Sequence, residues 1–74
     1  MAKEKRRHYD VGHGPYQRDF ISLGEGWFVI CHIFHEDGRD EYRVTDRFPD
    51  TSQGEQQANE EARLRNKDWE KHQK

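Results

Sequence analysis

An α+β domain of β-β-β-α order, with a three-stranded antiparallel β-sheet packed against one C-terminal α-helix, is the fold class this sequence predicts. Three observations predict it. The run Trp27-Phe28-Val29-Ile30-Cys31-His32-Ile33-Phe34 is crowded with aromatic and β-branched residues, which suit a pleated surface. The Asp37-Gly38 step separates that run from residues 40–45, where Tyr42 and Val44 alternate with Glu41, Arg43 and Thr45. Ser52 and Glu55 then stand at the S-x-x-E spacing of a capping box, at the head of a helix-forming stretch.

Taken in order, residues 1–16 show no hydrophobic period and hold Gly12, Gly14 and Pro15 among charges and histidines. They read as a disordered, flexible basic arm, leaving residues 17–74 as the single domain. The first strand is expected over residues 18–23, ended by a Gly24-Glu25-Gly26 turn. The second strand runs through Trp27 to Phe34. A two-residue type I′ turn or a three-residue loop with a glycine bulge would both fit at Asp37-Gly38, since Gly supplies a positive φ at low steric cost. Phe48-Pro49 ends the sheet, because Pro49 lacks an N–H and holds Phe48 extended. The helix is expected over residues 53–71. Its apolar stripe is thin: Ala58, Ala62, Arg65 and Trp69 fall on one side, with Leu64 off it and Trp69 closing the far end of the core.

The chain has 74 residues, enough for one domain that buries about 60% of its unfolded surface. Hydrophobic residues are 30% and charged residues 38%, so the apolar material is concentrated between Phe20 and Phe48. Cys31 is the single cysteine, so no intrachain disulfide staples the core. A small unstapled core of this kind commonly leans on a partner subunit. No apolar run is long enough for a signal peptide or a membrane span, which points to a soluble, cytoplasmic protein. Net charge is +3 over residues 1–18, −5 over residues 19–50 and zero thereafter: a basic arm before an acidic body.

The second strand is apolar on both faces. Trp27, Val29, Cys31 and Ile33 point one way, and Phe28, Ile30, His32 and Phe34 the other. One helix covers one face of such a sheet, so the other needs a cover. Three candidates are the N-terminal arm with Tyr9 and Tyr16, a homodimer, and a functional partner.

Catalysis finds little support. No paired-carboxylate site, phosphate loop or nucleophile elbow is present, and Cys31 reads as a small core residue whose neighbour His32 faces the other side. Cys31 and His35 would sit about 13 Å apart at about 3.3 Å per residue, too far to share one metal. The sequence therefore indicates no enzyme, cofactor, metal or small-molecule substrate. It points to a non-catalytic regulatory module that binds a protein partner or itself. Candidate interface residues are Trp27, Phe28, Ile30, Phe34 and Tyr42, with Arg39 and Arg43 at the rim, since aromatics and Arg favour interface centres. In size, acidity and lack of catalytic motifs the chain resembles accessory or inhibitor proteins of phages and mobile elements. The alternative is a sheet-based nucleic-acid binder using Lys5, Arg6, Arg7, Arg39 and Arg43. In its sheet-then-helix layout the chain resembles the arm-type DNA-binding domains of tyrosine integrases. That resemblance would imply nucleic-acid contact through the sheet.

Overall fold

A computed structural model of the protein describes residues 4–18 and 21–72. The expected order is present: β1 (Glu4–Arg18), β2 (Ile21–His35), β3 (Asp40–Phe48) and α1 (Ser52–His72). The strands form one antiparallel sheet with β2 in the centre.

The bounds of β1 differ from the expectation of a short strand after a flexible arm. From Glu4 onward the expected arm is a ladder partner of β2, with Arg7 opposite Ile33, Tyr9 opposite Cys31 and Val11 opposite Val29. Residues 1–3 lie outside the described residues. The helix side of this strand offers Tyr9 and Val11 as its apolar residues, too few to show a period. The apolar partners across the ladder on β2 supply the rest. Gly24-Glu25-Gly26 accordingly lies inside β2 rather than ending a first strand; the β1–β2 connection falls at residues 19–20, outside the described residues.

β1 and β2 each have 15 residues. Drawn straight at about 3.3 Å per residue, β2 would hold Leu23 roughly 16 Å from Phe28, yet Leu23, Phe28 and Ile30 share one buried cluster. The hairpin therefore bends. The bend lies at the Gly14–Gly26 pair, where the register shifts across Pro15, a residue with no N–H to give to the ladder. A Cβ on Gly14 would collide with the Gly24 carbonyl oxygen and crowd the Phe28 ring, so the two strands can approach this closely only without a side chain there. The bend brings Leu23 into one cluster with Phe28 and Ile30.

Two apolar clusters result, one on each face of β2 as its pattern implied. The helix side gathers Tyr9, Val29, Cys31, Ile33, Ala58 and Ala62, flanked by Val11, Trp27 and Phe48. Full burial of a residue such as Val29 or Ile33 stabilises by about 1.5–3 kcal/mol. The other side gathers Leu23, Phe28 and Ile30 beside Tyr42. The cover of this second face is thus the far end of the β1–β2 hairpin. Tyr9, expected there, faces the helix instead, and the side chain of Tyr16 lies outside the described residues.

The β2–β3 turn takes the three-residue form. The Gly38 N–H donates to the His35 carbonyl at 3.0 Å, the His35 N–H donates to the Arg39 carbonyl at 2.9 Å, and Gly38 has φ 88°. Farther along β3, Ile30 pairs with Val44 and Val29 with Asp46, so Thr45 is an extra residue, a β-bulge.

The helix starts one residue earlier than expected and its cap is Thr51, not Ser52. The Gly54 N–H donates to Thr51 Oγ1 at 3.0 Å and the Glu55 N–H to the Thr51 carbonyl at 3.0 Å. Gly54 sits against the Pro49 carbonyl, where any Cβ would collide. That close crossing of chain and first turn sets the frame one residue back from the Ser52–Glu55 spacing. Ala58 and Ala62 are buried and let α1 lie close on the sheet, as the stripe implied, while Leu64 is exposed.

Candidate binding surfaces: the two sheet edges and the helix-free face

A three-stranded sheet has two edges, and along each the backbone N–H and C=O groups of alternate residues turn away from the sheet. The β1 edge is sealed at its centre. Asn66 Oδ1 accepts from the Tyr9 N–H at 2.8 Å, and Asn66 Nδ2 donates to the Tyr9 carbonyl at 2.9 Å. One side-chain amide thus does what a neighbouring strand would do. Around it, Arg7 lies over the Trp69 ring at 5.3 Å, and Arg65 lies near the Tyr9 ring at 5.8 Å while bridging to Asp46 and Glu61. Burial lowers the Arg65 pKa, but Asp46 and Glu61 outweigh it and leave it raised. At the other end of the strand, His13 stacks on Trp27 with ring centres 4.0 Å apart and meets Asp50 at 2.7 Å.

The β3 edge is different. The His35 N–H to Arg39 carbonyl bond fixes the alternation of the β2–β3 ladder. Glu41 and Arg43 then turn their backbone groups toward β2, and Asp40, Tyr42 and Val44 turn theirs outward. Val44 is 42% exposed, one of two exposed large hydrophobic side chains among the described residues. No helix residue is shown bonded to the backbone of this edge among the described residues.

The helix-free face carries a row of rings across the strands. Arg6 of β1 lies over the Phe34 ring at 4.6 Å. His32 lies between Phe34 and Tyr42, tilted against the first and stacked on the second, at 3.9 and 4.2 Å between ring centres. His32 Nε2 is 3.8 Å from Asp40 Oδ1, beyond direct hydrogen-bond range. Arg47 reaches over Phe28 at 5.9 Å.

The interface residues read from sequence fall into different places. Phe34 and Tyr42 belong to the ring row on the helix-free face. Phe28 and Ile30, at 5% and 9% exposure, are core residues of the second cluster and offer little surface. Trp27 lies on the helix side against His13. Arg39 sits in the turn, bonded to Asp37, and Arg43 pairs with Glu41 on the helix side of β3. The basic residues of the alternative reading do not converge. Arg6 points to the helix-free face, Arg7 to the helix side where it binds Glu4 and Tyr9, and Lys5 is exposed at the register shift between Glu4 and Arg6. The β3 edge residue Val44 and the edge-sealing residue Asn66 were not singled out from sequence. Backbone direction, which makes both matter, leaves no trace in side-chain identity.

The electrostatics of the helix side are set by ion pairs. The hydrogen bond from Arg7 holds the Glu4 carboxyl below its usual range, and that from Arg43, helped by His35, does the same for Glu41. Burial pushes the Cys31 thiol up; the residue is 1% exposed. Among the described residues no group of three His, Cys, Asp or Glu side chains could hold a metal ion. No helix among the described residues is long and apolar enough to cross a membrane. No family model, curated protein or solved structure matches this chain.

Proposed function

We propose that this chain is a non-catalytic binding module that engages another polypeptide along the β3 edge. The asymmetry of the two edges carries the reading. The fold spends a side-chain amide on the β1 edge at Tyr9, and on the β3 edge it turns the backbone groups of Asp40, Tyr42 and Val44 outward. An edge with outward-turned backbone beside a ring-bearing face suits strand addition, where backbone bonds give affinity and flanking side chains give specificity. The buried state of Phe28 and Ile30 moves the weight from the apolar face to the edge and to Phe34 and Tyr42 at its margin.

The direct test is Val44→Pro. Proline is tolerated on an edge whose N–H faces solvent, so the variant keeps the fold but removes an outward donor. Loss of a bound polypeptide from the variant, with unchanged circular dichroism, supports the module. Retention of the same partner at unchanged affinity sinks the edge reading. Retardation of DNA or RNA at low salt, lost steeply as salt rises, would favour the nucleic-acid alternative instead.

A further inference from the structure

We infer that the polypeptide this edge takes is a second copy of the same chain, paired antiparallel through β3 about a two-fold axis at Tyr42. The inference rests on the binding-module reading and names its partner.

The register follows from the strand itself. The turn at Gly38 bounds the regular part of β3 on one side and the Thr45 bulge bounds it on the other. Residues 40–44 lie between, with Tyr42 at their midpoint. Within that stretch Asp40, Tyr42 and Val44 all turn their backbone groups outward. An antiparallel pairing centred on Tyr42 places Tyr42 opposite Tyr42, and Asp40 opposite Val44 on both sides. These are hydrogen-bonded positions, giving about six backbone bonds between the copies.

Charge agrees with that register. Glu41 of one copy falls opposite Arg43 of the other, twice over, on the helix side of the joined sheet. Within one chain Arg43 and Glu41 already pair along the strand, with both side chains substantially exposed. Pairing turns two exposed contacts within chains into a four-membered charge cluster across the axis. His35, bonded to Glu41 at 3.1 Å, and Glu4 with Arg7 lie on the same side. On the helix-free face Val44 comes diagonally beside Tyr42 of the second copy, so the exposed apolar side chain gains a ring neighbour. The product is a continuous six-stranded sheet with both helices on one face. Its outer edges are the two β1 strands, each bonded at Tyr9 by Asn66.

The test is sedimentation equilibrium of the full chain over the micromolar to millimolar range. The expected result is a concentration-dependent dimer. Val44→Pro should weaken it on the order of 100-fold. Glu41→Arg should weaken it too, by setting Arg opposite Arg43, and Glu41→Arg combined with Arg43→Glu should restore it. A monomer at all concentrations overturns the inference, as does a dimer indifferent to all three variants. A monomer that nonetheless binds another polypeptide in a Val44→Pro-sensitive way overturns self-pairing alone. A monomer that binds no polypeptide removes both readings.

Discussion

Asn66, near the end of the helix, holds both backbone polar groups of Tyr9, on a strand that lies 57 positions away in sequence. The contact joins the helix to the sheet by hydrogen bonds as well as by the alanine stripe, and it closes an edge. Asn66→Ala should lower stability by about 1–3 kcal/mol, since it leaves two backbone groups without protein partners. Urea unfolding measures that loss. Hydrogen exchange should show faster exchange at the Tyr9 amide than a mere global destabilisation explains.

Gly14 should tolerate no side chain. Gly14→Ala puts a methyl group against the Gly24 carbonyl and the Phe28 ring, and the bend must open to admit it. The expected cost is about 1–3 kcal/mol, the range of an overpacked site. Gly24→Ala, where a Cβ meets nothing nearby, is the control and should cost far less. Thermal melts of the two variants separate crowding at the bend from a general effect of adding a methyl group.

The helix cap distinguishes neighbouring hydroxyls. Thr51→Ala removes the acceptor for the Gly54 N–H and should cost about 1 kcal/mol. Ser52→Ala should stay within about 0.5 kcal/mol, as expected of an exposed side chain outside the cap. Equal losses from the two variants would contradict this cap.

Acid should weaken the fold through the helix-side carboxylates. Glu4 and Glu41 have folded-state pKa values below their usual 4.5, the first through Arg7 and the second through Arg43 and His35. A depressed carboxylate contributes stability that is present above its unfolded pKa and lost as pH falls through its folded one. Stability should therefore hold above about pH 5 and decline below about pH 4. Glu4→Gln should flatten that decline in chemical unfolding measured across the range.

The Cys31 thiol should be slow to react. It is buried, and burial raises its pKa, so little thiolate forms at neutral pH. A thiol reagent should modify it in the native protein far more slowly than in denaturant. Rapid native modification would reopen a catalytic reading.

Much of this fold was legible in the sequence because β2 announces itself. Its aromatic and β-branched run, the Asp37-Gly38 turn and the alanine stripe each act locally, and each is where the pattern placed it. β1 was illegible for a physical reason. Its side chains, among them Arg7, Asp10 and His13, carry no period of their own, and the strand is held by its partner and by Asn66. The bend was hidden likewise, since Gly24-Glu25-Gly26 read as a turn and Gly14-Pro15 as part of a flexible arm, until the close approach at Gly14 shows both to belong to one bend in a longer hairpin. Phe28 and Ile30 looked like surface because the strand is apolar on both sides. The doubled-over hairpin, invisible in the pattern, is what covers them.

That doubling-over bears on the order in which the molecule assembles. Leu23 meets Phe28 and Ile30 within a few positions along one strand, so this cluster closes a small loop of chain. The helix-side cluster joins Tyr9 to Ala58 and Ala62 and must close a loop of about 50 residues, at a larger entropic cost. The bent hairpin should therefore form ahead of helix docking. Leu23→Ala should slow folding, whereas Ala62→Gly should mainly speed unfolding. The reverse kinetic pattern would place the helix in the nucleus.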